Sequence, residues 1–180
     1  MGSRCNRLAI PPNCLPPLSS GICESPCDLA GLLAYSIPVN HRILFICTGN
    51  FYRSRFAEAV FNYRAEQRQI PWAAFSRGLA THLAEGYLSS FAAEALLARQ
   101  IDLRYTGTRR LQLSEDDLLK ADRRIAMDRT EHFPMMQNQF SAWADKIEYW
   151  DVPDLPYRAS EDALTEIENK VIQLLQEIVS

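Results

Sequence analysis

Residues 41–180 predict an α/β fold in three layers, with a four-stranded parallel sheet covered by helices on both faces. Three observations predict it. Ile43-Leu44-Phe45-Ile46 is a continuous apolar run of β-prone residues, the pattern of a strand buried on both sides. Three more short strand candidates follow, with helical patterns between them. Near the C-terminus Leu164, Ile167, Val171, Leu174, Leu175 and Ile178 recur at helical spacing as one apolar stripe. Strands alternating with helices imply right-handed crossovers, and therefore a parallel sheet.

Each element has its own signal. After the first strand and a short loop, Ser54 opens a helix carrying Phe56, Ala57, Val60 and Phe61, which ends before Pro71. A second strand is expected around Ala73 to Ser76, stopped by Gly78. Ser89 or Ser90 caps a helix running to about Gln100, with Phe91, Ala95 and Leu96 on one side. Ser114 caps a short helix through Lys120. Arg124 to Asp128 is the third strand candidate, and Ile147 to Trp150 is the fourth, leading into Asp151-Val-Pro-Asp154. In such folds ligands bind at the carboxyl ends of the strands. The loops after the first and fourth strands both lie at that edge.

Residues 1–40 read differently. They hold Pro11, Pro12, Pro16, Pro17 and Pro38 and no long periodic segment, so they are expected to be a largely disordered extension ahead of a domain at 41–180. Cys14, Cys23 and Cys27 lack the paired spacing of common zinc modules and have no histidine nearby. The opening Met-Gly-Ser-Arg-Cys-Asn has Asn6 where a myristoylation signal wants Ser or Thr. No methionine lies between Met1 and Met127, so a non-AUG start at Val39 is the favoured reading, and intact mass of the natural protein checks it.

Composition excludes several functions. A net charge of -3 and no basic stripe argue against nucleic-acid binding. No apolar run approaches the ~20 residues that span a bilayer, so no membrane partner is expected. Cys47 is the one cysteine after residue 27. A body without a disulfide framework suits a reducing cytoplasm, and a monomer is expected.

Cys47-Thr48-Gly49-Asn50-Phe51-Tyr52-Arg53-Ser54 joins the first strand to a helix start. A cysteine at a strand end is usually an inert core residue, and a lone C-x5-R match is common by chance; the surroundings decide the matter here. A loop closing into a helix N-terminus turns several main-chain N–H groups into one concavity, and Gly49 and Asn50 tolerate the positive φ such a nest requires. The concavity binds an oxyanion, and the same field favours a thiolate at its base. Cys47 is thus the candidate nucleophile. Arg53 adds a planar guanidinium that can hold two phosphate oxygens at once. Ser54 can donate its hydroxyl to the sulfur.

These residues resemble the low-molecular-weight protein tyrosine phosphatases over about residues 41–179, whose C-x-G-N-x-x-R-S motif is matched by Cys47, Gly49, Asn50, Arg53 and Ser54. The resemblance implies phosphate binding by residues 48–54 (Thr48, Gly49, Asn50, Phe51, Tyr52, Arg53 and Ser54), a phosphocysteine intermediate, and neither metal nor cofactor. It also implies a general acid in a late Asp-Pro-Tyr-like loop, read here as Asp151-Val-Pro-Asp154-Leu-Pro-Tyr157. Asp154 is favoured and Asp151 is the alternative. The chain departs from the family in having Tyr52 where a second cysteine is common, Arg55 where proline is common, and Ser76-Arg77-Gly78 for Ser-Ala-Gly. A histidine that braces the loop asparagine in many members is replaced near Thr108.

Phe51 and Tyr157 are the expected walls of a slot for a phenyl phosphate; Tyr52 and Trp150 are weaker candidates. His41, His82 and His132 show no ligand spacing and read as surface or structural residues. The expected substrate is a phosphotyrosine protein or a small aryl phosphate. Two alternatives share the loop. An arsenate reductase needs two further cysteines downstream of Cys47, and none follows. A phosphate-binding module would bind without turnover.

Overall fold

The computed structural model describes residues 38–180, and the expectations for residues 1–37 lie outside them. Four strands, β1 (His41–Cys47), β2 (Trp72–Gly78), β3 (Arg123–Ala126) and β4 (Glu148–Tyr149), form one sheet in the order β2-β1-β3-β4. All three pairings are parallel. The helices are α1 (Arg53–Gln67), α2 (Ser90–Ala98), α3 (Glu115–Lys120), α4 (Arg129–Gln139) and α5 (Ser160–Val179).

The two-residue period of β1 creates the three layers. Ile43, Phe45 and Cys47 face one side, where Phe56, Val60 and Phe61 of α1 and Leu164, Ile167 and Val171 of α5 pack. Leu44 and Ile46 face the other, against Leu118 of α3 and Met136 of α4. All four residues Ile43–Ile46 are fully buried, which is why the run carries no polar alternation. Burying each such side chain contributes roughly 1.5–3 kcal/mol. No helix among the described residues is long and apolar enough to cross a membrane.

Local chemistry explains most boundaries. Ser114 and Asp117 form a reciprocal capping box at α3. Ser89, rather than Ser90, occupies the N-cap of α2. Strand β4 spans two residues instead of four, but its pairing direction persists: Trp150 N donates to Ala126 O at 2.8 Å and Val152 N to Met127 O at 3.0 Å. In helix α2 Leu96 is buried and Ala95 packs against the core as expected, but Ala92 completes the buried row and Phe91 is left 46% exposed.

Helix α4 is the element that the sequence pattern does not announce. Pro134 lies inside it and removes an interior N–H, and no apolar stripe marks its face. Its start is nevertheless well made, with the Asp128 side chain accepting from Glu131 N at 2.7 Å. Asp128 three residues before Glu131 is a start signal readable in the sequence.

Candidate active site

The carboxyl end of β1 delivers Cys47 into the loop that opens α1. The loop's carbonyls are consumed outward: Cys47 O accepts from Leu79 N, Thr48 O from Ala80 N and Phe51 O from Ser89 N. Among the described residues, no main-chain acceptor takes the N–H groups of Thr48, Gly49, Asn50, Phe51 or Tyr52. Donors left free on a loop facing a helix N-terminus make an anion nest.

Asn50 is the residue that takes the left-handed turn, at φ 49°. Gly49 does not, contrary to expectation; its lack of a side chain instead admits Ala84, whose Cβ would lie 3.0 Å from a Cβ at Gly49. Gly78, at the end of β2, has a stricter reason to be glycine. A Cβ there would meet Asn50 N at 2.8 Å and Thr48 O at 2.9 Å.

Asn50 is held by three hydrogen bonds. Its Nδ2 donates to Ser76 Oγ at 2.8 Å and Ser54 Oγ at 3.3 Å, and its Oδ1 accepts from Leu111 N at 2.8 Å. With Ser54 Oγ already accepting, its own hydrogen is available to the Cys47 sulfur 2.9 Å away. The brace continues inward. Ser76 and Thr106 hydroxyls donate to Glu58 at 2.7 and 2.8 Å, and Arg55 Nε donates to Thr106 Oγ1 at 2.6 Å. Arg55 also donates to the carbonyls of Gly107 and Arg109 and is 1% exposed. Burial pushes the Glu58 carboxyl up, against its hydroxyl donors and Arg55, and it pulls the Arg55 guanidinium down. Thr106, not Thr108, therefore joins this network, and Thr108 is exposed.

Arg53 is 1% exposed and lies between the loop and the fourth strand's exit. Its Nη1 donates to Val152 O at 3.0 Å; its Nη2 donates to Asp154 Oδ2 at 2.6 Å and Glu131 Oε2 at 2.7 Å. Its Nε is buried with no partner. An orphaned donor beside free main-chain amides is what a phosphate oxygen would complete. Burial opposes the charge on Arg53, but Cys47, Glu131 and Asp154 outweigh it and hold the guanidinium above its ordinary range.

The structure brings Asp154 to this guanidinium and leaves Asp151 exposed at the strand exit. Phe51, Tyr52 and Tyr157 all line the cavity above Cys47, which has a volume of about 830 Å³. Tyr52 is anchored by its hydroxyl, donated to Ser160 O at 2.9 Å, and burial foremost pushes its pKa up to about 12. Trp150 packs on Phe45 with ring centroids 5.6 Å apart, in the core face rather than the cavity. His41 and His82 are exposed, whereas His132 is fully buried beside the loop, its Nε2 3.3 Å from Thr48 Oγ1. Periodicity could not reveal Glu131 or His132 as neighbours of the site, because both come from α4.

A cysteine set into an amide-lined loop at a strand's carboxyl end, next to a buried arginine, defines a cysteine-dependent phosphatase. The chain belongs to the low molecular weight phosphotyrosine protein phosphatase family, whose sequence profile matches residues 42–180. A protein-arginine-phosphatase from Bacillus subtilis (strain 168) is 29% identical over 145 residues, covering 76% of this chain and 93% of that protein. The low molecular weight protein tyrosine phosphatase of T. tengcongensis superposes with a TM-score of 0.66 at 30% identity, over 76% of this chain and 99% of that one. The YwlE arginine phosphatase of Geobacillus stearothermophilus gives 0.61 at 27% identity, over 77% and 92%. This chain is accordingly a cysteine-based protein phosphatase, a hydrolase acting through a phosphocysteine intermediate.

Proposed function

We propose that this phosphatase hydrolyses phosphotyrosine in proteins, or small aryl phosphate esters, with Cys47 as nucleophile, Arg53 as phosphate clamp and Asp154 as general acid. The observation that carries the reading is the buried guanidinium of Arg53, with its Nε free and Asp154 2.6 Å from its Nη2. The Cys47 thiolate attacks phosphorus, the S–P bond forms, and the bond from phosphorus to the aryl oxygen breaks. Asp154 gives that oxygen its proton, a contribution typically of about 10²- to 10⁴-fold. Asp154 then takes a proton from the water that attacks phosphocysteine, and the S–P bond breaks to release phosphate. The main-chain N–H groups of residues 48–54, with Nε of Arg53 and the Nη2 donor that Asp154 vacates, hold the equatorial oxygens. Asp154 leaves Nη2 when phosphate takes that donor, which frees the acid for the leaving group.

Phe51 and Tyr157 are read as the walls for the aryl ring, with Phe91 and Leu83 extending the apolar lining. A phosphorylated arginine is the second reading, favoured by the Bacillus subtilis relative; the apolar lining favours a flat ring over a guanidinium. Reliance on a reduced thiol supports a cytoplasmic enzyme.

The test is hydrolysis of an aryl phosphate and of a phosphoarginine peptide by wild type, Cys47→Ser, Asp154→Ala and Asp151→Ala. Turnover of the aryl ester is expected to vanish in the first variant and fall about 10²- to 10⁴-fold in the second. A larger fall for Asp151→Ala would overturn the acid assignment. Faster turnover of the phosphoarginine peptide would favour the second substrate.

A further inference from the structure

Arg53 has one more carboxylate neighbour than the proposed chemistry uses. Both hydrogens of Nη2 are engaged, one by Asp154 and one by Glu131. Asp154 has to leave in order to protonate a leaving group. Glu131 has no such task, and it is anchored elsewhere. Its other oxygen accepts from the Thr48 hydroxyl, and its own main-chain N–H is capped by Asp128. The ring of His132, fully buried, lies 3.7 Å from it and is tied through Nδ1 to Asp128 O at 2.8 Å. An acidic residue in the first turn of a helix has an ordinary explanation, the favourable field of the helix N-terminus. That explanation calls for no contact with the clamp arginine or with the residue after the nucleophile.

We infer that Glu131 is a resident counter-ion of Arg53, a positioning residue that fixes the guanidinium through Nη2 and weakens the cradle's hold on phosphate so that product leaves. The inference rests on the reading of Arg53 as the phosphate clamp. A negative charge at ion-pair distance from that clamp opposes every bound phosphate oxygen, and screening is only partial because the Arg53 side chain is 1% exposed and that of Glu131 31%. Substrate and product are both bound less tightly than the amide nest and an unshared arginine would bind them. The arginine in turn keeps a second fixed partner while Asp154 moves.

Glu131→Gln tests this, because the amide retains an oxygen to accept from Arg53 and drops the charge. Inorganic phosphate is titrated calorimetrically into wild type and variant, and is used as a competitive inhibitor of aryl phosphate hydrolysis. The variant is expected to bind phosphate about tenfold more tightly, with KM falling in parallel and kcat not rising. Unchanged or weaker phosphate binding would overturn the inference, since a purely structural Glu131 gives that result. If the variant does not fold, the wild-type crystal structure with tungstate is decisive. The account expects Arg53 Nη2 to keep Glu131 and lose Asp154, and the reverse would overturn it. Failure of the underlying clamp reading looks different: wild type and variant would then both fail to bind phosphate or tungstate.

Discussion

The floor of the active site and its mouth are built from opposite materials. The floor, Cys47 to Asn50 with Arg53 and Ser54, is tied down: Asn50 and Arg53 are each 1% exposed, and all their polar side-chain atoms but Arg53 Nε are bonded, to Ser54, Ser76, Leu111, Val152 and two carboxylates. The mouth is apolar and open: Leu83, Phe91 and Leu155 are exposed, and Tyr157 is 87% exposed. The contrast separates two tasks. Positioning a thiolate, an arginine and an anion demands fixed geometry, and buried hydrogen bonds supply it. Accepting a substrate surface demands rings that can adjust, so those side chains keep their freedom.

Breaking the floor has the larger expected effect. Asn50→Ala removes the three hydrogen bonds that hold the left-handed turn and costs the alanine its ease of adopting positive φ. The loop amides shift, and kcat on an aryl phosphate is expected to fall about 10²-fold; steady-state kinetics checks it, and an unchanged kcat would mean the brace is dispensable.

Altering the mouth gives a smaller and different signature. Phe51→Ala is expected to raise KM for aryl phosphates about fivefold with kcat little changed. Tyr157→Ala, removing a ring that is mostly in water, should raise it by less than about threefold. Comparing phenyl with alkyl phosphates sharpens the point, since loss of a ring wall matters only for the former.

The smallest effect is expected remote from both regions, at Glu168, which joins Arg64 of α1 and Arg99 beside α2 to α5. Burial raises this carboxyl, but the two arginines outweigh it and hold it below its usual range. A carboxyl lower in the folded than in the unfolded chain adds stability that is whole above about pH 4.5 and is lost as pH falls through the folded value. Glu168→Gln should therefore cost about 1 kcal/mol at pH 7 and much less at pH 3, with catalysis at pH 7 unaffected. Urea midpoints at the two pH values check it; equal losses would contradict the sign.

The same two regions differ in how far the sequence alone revealed them. The floor was legible because its signals are local: a buried run, Cys47, Gly49-Asn50, Arg53 and a helix start follow one another within a dozen residues. Asp154 was legible only as one of two aspartates, since the choice depends on where the chain turns after β4. Helix α4 went unread because Pro134 and a mixed composition hide its period, and Glu131 and His132 went unread with it. Arg55 is another gap. An arginine in a first helical turn is ordinarily solvated, and only the assembled loop at 106–109 shows that its Nε, Nη1 and Nη2 each have an acceptor to meet. A nine-residue helix defines the placing of Phe91 poorly, and its ring lines the cavity against Tyr52 while Ala95 and Leu96 meet the core.

The nucleophile is the central claim, and rapid acid quench of Asp154→Ala with an aryl phosphate, followed by peptide mass spectrometry, tests it most directly. With hydrolysis of the intermediate slowed, the account predicts one phosphoryl group on the sulfur of Cys47. A phosphoryl group on any other residue, or full turnover with Cys47 replaced by serine, would contradict it.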